Sequence, residues 1–148
     1  MPVYLEDLVP GAELVSVGRT ITEADIMAFA GVSGDFNRLH TDEPWVLANT
    51  PFRARIAHGL LILSIASALR TPVLDDLEVI AYLEETRAFV APTYAGDTIH
   101  VRTRIESVRP SRSRPGTGIV VSSVEVVNNR DETVQRGTDT VLVATRPA

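Results

Sequence analysis

His58-Gly59-Leu60-Leu61-Ile62-Leu63-Ser64-Ile65-Ala66-Ser67-Ala68-Leu69-Arg70 is the most apolar stretch of the chain. Its apolar residues surround a 3.6-residue period, so the spacing predicts a helix over 58–70, buried on nearly every side. The stretch is broken by serines and is too short to span a bilayer. After Pro72 the period changes to two. Residues 77–90 read as a strand closed by Ala91-Pro92. Residues 97–108 alternate, with Ile99, Val101, Thr103 and Ile105 on one face and His100, Arg102, Arg104 and Glu106 on the other. A loop over 110–116 follows, then a strand over 117–128, a turn at Asn129-Arg130-Asp131, and a last strand over 132–145.

Upstream, residues 1–11 form an entry segment ending at the turn signal Pro10-Gly11, and residues 13–20 read as a strand. Thr22 is a good N-cap, with Glu23 and Asp25 in the first turn of the helix it opens. Ile26, Met27, Phe29 and Ala30 give that helix its apolar face, and Gly31 and Gly34 end it. Asp42-Glu43-Pro44 starts a short helix carrying Trp45, Val46 and Leu47, which Thr50-Pro51 stops. The order is strand, helices, then four strands. That order predicts an α+β fold with an antiparallel sheet. A sheet of this kind wrapped around one long buried helix is the hot-dog arrangement, and a single domain over 1–148 is expected.

The chain has 148 residues, 45% of them hydrophobic, with a net charge of −5 and no cysteine. This is globular composition, sized for one domain. The charge argues against a nucleic-acid partner. Without cysteine there are no disulfides, thiolate nucleophiles or cysteine metal sites. The N-terminus has no basic segment followed by an apolar one, so no secretory signal is expected. A soluble cytoplasmic protein with no membrane partner is the expectation.

The chemistry concentrates at Ser33-Gly34-Asp35-Phe36-Asn37-Arg38-Leu39-His40. Asp35 and His40 are an acid and a base five residues apart, with Gly34 and Asn37 bending the backbone around them. A carboxylate and an imidazole on one loop can hold a single water. Water needs a base to become a nucleophile, and the carbon that receives the other hydrogen needs an acid. Histidine titrates near neutrality and serves either role. If the substrate is an α,β-unsaturated thioester, attack at its β-carbon makes an enolate, whose oxyanion needs donors. The helix beginning at His58-Gly59 offers free N–H groups at its positive end, and Gly59 lets a carbonyl oxygen come close.

Phe29 to His40, followed by Ile56-Ala57-His58-Gly59, resembles the MaoC-like (R)-specific enoyl-CoA hydratase/dehydratase family, whose signature has Asp-x-Asn-Pro-aliphatic-His after a Ser-Gly pair. Phe89-Val-Ala-Pro-Thr-Tyr-Ala-Gly-Asp97 resembles the family's strand–Pro–Gly-Asp–strand hairpin. The resemblance covers nearly the whole chain. It implies a hot-dog fold and a lyase that reversibly hydrates a trans-2-enoyl-CoA to a (R)-3-hydroxyacyl-CoA. It also implies a homodimer or an oligomer of dimers. No cofactor is implied, coenzyme A being part of the substrate. Asp35 and His40 match the catalytic pair, with Asp35 expected to activate water and His40 to protonate the α-carbon, a division the residues leave open. Asn37 matches the motif asparagine, Gly59 the backbone donor to the thioester oxygen, and Ser67 or Ser64 a helix serine near the site. Arg38 departs, standing where the family usually has proline; it leaves the turn looser and could reach a phosphate.

Other residues have plainer readings. Asp35 taken alone is ordinary turn chemistry, and Asn37 serves the loop as readily as a substrate. His58, at a helix N-terminus, reads as a neutral structural histidine, and His100 as solvent-exposed. No residue has convincing metal-ligand spacing with His40, so no metal is expected. Ser64 and Ser67 are expected to bond carbonyls of their own helix. Arg109, Arg112 and Arg114 form a basic loop. Arg112, with Arg38 and Arg87, is a candidate for CoA phosphates. Two other readings remain: a hot-dog acyl-CoA thioesterase, and a non-catalytic acyl-CoA-binding partner subunit.

Overall fold

The computed structural model describes residues 1–147; Ala148 lies outside the described residues. Four long antiparallel strands form most of the sheet: β3 (Val79–Phe89), β4 (Thr98–Pro110), β5 (Thr117–Val127) and β6 (Thr133–Ala144). Two short strands, β1 (Glu13–Val15) and β2 (Arg19–Thr20), both pair with β4. The sheet runs β1-β4-β5-β6-β3, which leaves β3 on an edge. The helices are α1 (Glu23–Ser33), α2 (Arg38–Thr41), α3 (Glu43–Asn49), α4 (Gly59–Ala68) and α5 (Pro72–Asp75).

The alternation of β4 decides which face holds the core. Ile99, Val101 and Ile105 are at most 4% exposed. The first two join Val124 and Val126 of β5 and Val134 of β6 in packing against Ile62, Ile65 and Ala66 of α4. Burying each of these larger aliphatic side chains is worth about 1.5–3 kcal/mol. Together they hold α4 in the concave face of the sheet, the hot-dog arrangement expected above. A second cluster, with Leu5, Leu77, Ile105, Val120 and Val143, closes the other end of the sheet.

Three expectations need correction. The strand expected over 13–20 is split, because Ser16 breaks the ladder: its Oγ accepts from the Val101 N–H at 2.8 Å, in place of a backbone carbonyl. Helix α4 is not buried all round, since Leu60, Ser64 and Ser67 line an exposed stripe. Met27, read as part of the apolar face of α1, is 42% exposed, so that helix uses only Ile26 and Ala30 as fully buried anchors, as α3 uses only Val46.

Candidate active site

Helix α1 delivers the acidic loop. Thr22 caps it through a reciprocal box with Asp25: Thr22 Oγ1 accepts from the Asp25 N–H at 3.1 Å, and Asp25 Oδ2 from the Thr22 N–H at 2.8 Å. Gly34 ends the helix with φ +76°, a conformation that favours glycine. Asp35 follows in the turn. Its Oδ1 accepts from the Asn37 N–H at 3.1 Å, which leaves Oδ2 turned toward His40. Asn37 caps the one-turn helix α2, its Oδ1 accepting from the Leu39 N–H at 3.0 Å. Asn37 therefore holds the loop. His40 sits inside that turn and is 8% exposed.

His40 Nδ1 lies 2.7 Å from the Ile56 carbonyl oxygen. A carbonyl only accepts, so Nδ1 carries the hydrogen, and neutral His40 has its lone pair on Nε2. Nε2 is 3.8 Å from Asp35 Oδ2. That gap is too long for a direct hydrogen bond and suits an intervening water. Burial lowers the proton affinity of His40 below the ordinary histidine value, and neighbouring His58 lowers it further. The Ile56 carbonyl and the Asp35 carboxylate oppose that shift without cancelling it.

His58 is the buried structural histidine expected, and its contacts show what it holds in place. It is 2% exposed, stacks on His40 with ring centroids 3.7 Å apart, and donates through Nε2 to the Asp35 carbonyl oxygen at 2.9 Å. It thus touches both members of the pair and immediately precedes Gly59. Its position directly before the motif glycine was the available signal.

Gly59 opens α4 and borders a cleft of ≈ 660 Å³ with Leu60, Phe89, Val90 and Gln135. Gln135, which sequence reasoning missed, donates to the Gly59 carbonyl oxygen at 2.7 Å and fixes that peptide. A methyl group at Gly59 would stand 2.7 Å from the ring of Phe89, so this half-exposed side chain would have to move to admit it. Asp35 and His40 do not line this cleft; His58 and the Ile56–Gly59 backbone join the two halves. The Thr93–Asp97 turn supports that backbone, with the Ala57 N–H donating to the Thr93 carbonyl at 2.8 Å. Buried Asp97 anchors the turn by accepting from the Tyr94 N–H and from Arg130.

Ser64 and Ser67 donate to carbonyls of their own helix, Leu60 and Ser64 respectively, as expected. Arg38 stands 3.8 Å from Asp42 and over the Trp45 ring. As the first residue of α2 it occupies a position that proline also fits, which is why the turn forms without it. Arg87 corrects an expectation. Its side chain is 4% exposed and pairs with Glu85 and Asp139, so it offers no surface contact for a phosphate. Arg112 lies beyond the far end of β4 from the Thr93–Asp97 turn, roughly 40 Å along the strand, and is remote from this chain's own cleft. Arg53, adjacent to cleft-lining Phe52, is the exposed cation near the site that sequence reasoning missed.

Among the described residues, Asp35, His40 and His58 offer ligand atoms within 4.8 Å of one another. His40 keeps only Nε2 free and His58 only Nδ1, because the other nitrogen of each ring is held by a backbone carbonyl. The arrangement suits a polarised water. No helix among the described residues is long and apolar enough to cross a membrane.

Comparison with known proteins agrees with this geometry. The MaoC like domain family matches residues 8–130. A (R)-specific enoyl-CoA hydratase of Rhodospirillum rubrum is 35% identical over 109 residues, covering 74% of this chain and 74% of that protein. A 3-hydroxybutyryl-CoA dehydratase of Methylorubrum extorquens is 34% identical over 112 residues, 76% of this chain and 69% of the relative. The crystal structure of a MaoC-like dehydratase from Rhodospirillum rubrum superposes with a TM-score of 0.81 at 31% identity, covering 99% of each chain. The Asp35 loop, the His58-Gly59 helix start and the wrapped sheet thus come together in a member of the MaoC-like hydratase/dehydratase family.

Proposed function

We propose that this protein reversibly hydrates a trans-2-enoyl-CoA to a (R)-3-hydroxyacyl-CoA. The observation that carries this reading is the 3.8 Å gap between Asp35 Oδ2 and an unprotonated His40 Nε2. Asp35 orients the water in that gap. Nε2 takes one proton as the water oxygen bonds to the β-carbon and the double-bond electrons move toward the thioester. The resulting imidazolium returns that proton to the α-carbon, so one water is added and His40 ends neutral. The Asp35 carboxylate steadies the transient positive ring. This sequence gives His40 both proton transfers, where the sequence alone suggested that Asp35 activates the water.

The enolate oxygen is assigned to the Gly59 N–H at the start of α4, a donor of the kind whose loss costs roughly 3–4 kcal/mol of transition-state stabilisation. The sheet edge supports a homodimer: Ile80, Tyr82, Leu83, Phe89 and Val90 on and beside β3 are 45–55% exposed, next to exposed Leu60 of α4. The test is product analysis of purified protein with trans-2-enoyl-CoA. Loss of enoyl absorbance with formation of the (R)-3-hydroxy thioester is expected. Release of free CoA without hydration would favour the thioesterase reading, and binding without turnover the partner-subunit reading.

A further inference from the structure

A second cavity, mostly apolar with a few charged and polar groups, lies farther along α4, β3 and β6 from Gly59 and shares no lining residue with the Gly59 cleft. It measures ≈ 70 Å³ and opens beside Ser67 and Arg70 at the C-terminal end of α4, Arg87 on β3 and Asp139 on β6. A single water needs only about 10–15 Å³, so several ligand atoms fit. Arg87 is the unusual feature. Its Nη2 donates to Glu85 and, at 3.0 Å, to Asp139 Oδ1. Its Nε and Nη1 are buried with no hydrogen-bond partner. Buried guanidinium donors left unpaired are costly, and they call for an acceptor that arrives from outside the fold. Arg70, Arg87 and Asp139 line the cavity, with Glu85 paired to Arg87 beside it, so an incoming oxygen does not meet a uniformly negative wall. Burial also pushes the Asp139 carboxyl up, which weakens its repulsion of an anion.

We propose that this cavity receives an oxygen at the far end of the acyl chain, so that the protein prefers thioesters whose acyl group carries a terminal carbonyl or carboxylate over plain hydrocarbon chains of equal length. The inference rests on the reading that the cleft at Gly59 holds the thioester. Three elements carry the path in the same order. On α4 it runs from Gly59 to Ser67, on β3 from Phe89 to Arg87, and on β6 from Gln135 to Asp139. The helical leg spans roughly 12 Å at 1.5 Å per residue, a length met by an extended acyl chain of about ten carbons.

Binding of saturated acyl-CoAs, measured by calorimetry, tests this without requiring turnover. Pairs of equal length are compared, one ending in a methyl group and the other in a carboxylate or methyl ketone. The oxygenated member of at least one pair should bind about tenfold or more tightly, as a hydrogen bond to a charged donor implies. Arg87→Met should bring that ratio to about one. The wild-type comparison stands by itself if the variant fails to fold. Equal dissociation constants across all pairs, or no binding of either member, overturns the proposal and leaves the cavity to water. Hydration of a plain enoyl-CoA is scored separately, so failure of the hydratase reading is distinguishable from failure of this one.

Discussion

At His40 the Ile56 carbonyl holds Nδ1 at 2.7 Å, and only Nε2 is left to face Asp35. Burial lowers the pKa of this ring below 6.5, followed by the effect of His58. The ring therefore stays neutral as pH falls through the ordinary histidine value. The acid limb of kcat/KM should have its midpoint below 6.5. The unfolded chain takes up this proton first, so the His40 contribution to stability is present above about pH 6.5 and is lost as pH falls through the folded value. Asp35 raises the His40 pKa, so Asp35→Asn should move the acid limb to lower pH and lower kcat by about 10²–10⁴-fold. A pH–rate profile of both proteins checks the shift, and a limb that moves to higher pH contradicts it. The five-residue spacing of Asp35 and His40 was legible in the sequence because both lie on one short loop. The contacts of His58 were not, because a ring stack across 18 residues leaves no periodic trace. Arg87 was misread for the same reason: its partner Asp139 is 52 residues away on β6.

Helix starts were the most legible elements, because a cap is a local hydrogen bond. Thr22, with its Asp25 box, and Asp42, which accepts from the Trp45 N–H, cap α1 and α3 as read. Helix α2 was not anticipated, since four residues show no apolar period. Its first residue yields a sharp prediction. Asn37, at ψ 142°, already has the extended backbone that precedes proline, and Arg38 is at the first helical position. Arg38→Pro should raise stability by about 0.4–1 kcal/mol in denaturant melts, with activity retained. A loss of stability would show that the loop geometry is wrong. At the start of α4 the opposite holds. Gly59→Ala gains helix propensity of about 1 kcal/mol but drives a methyl group against Phe89. It should lower kcat/KM, and adding Phe89→Leu should restore part of the loss. No loss in the single variant would remove Gly59 from the thioester site.

Across the whole molecule, the strand order followed from alternation and turn signals, whereas the exposed side of α4 did not. A nearly continuous apolar run says that a helix will be covered, not by what. In the single chain the sheet covers one side, and the Leu60–Ser64–Ser67 stripe stays open beside the β3 edge. The homodimer proposed above would cover both exposures. Sedimentation should give a dimer, and Leu83→Lys on the edge strand should shift it toward monomer. A monomeric wild-type protein would contradict this assignment. The proposed hydration draws on the cleft at Gly59 and on the Asp35–His40 pair. The most direct measurement is steady-state hydration of a trans-2-enoyl-CoA by the wild-type protein and by folded His40→Gln. The account predicts (R)-3-hydroxyacyl-CoA from the wild type and a rate at least about 10²-fold lower from the variant. Hydration at an undiminished rate in His40→Gln, or none in the wild type, would contradict it.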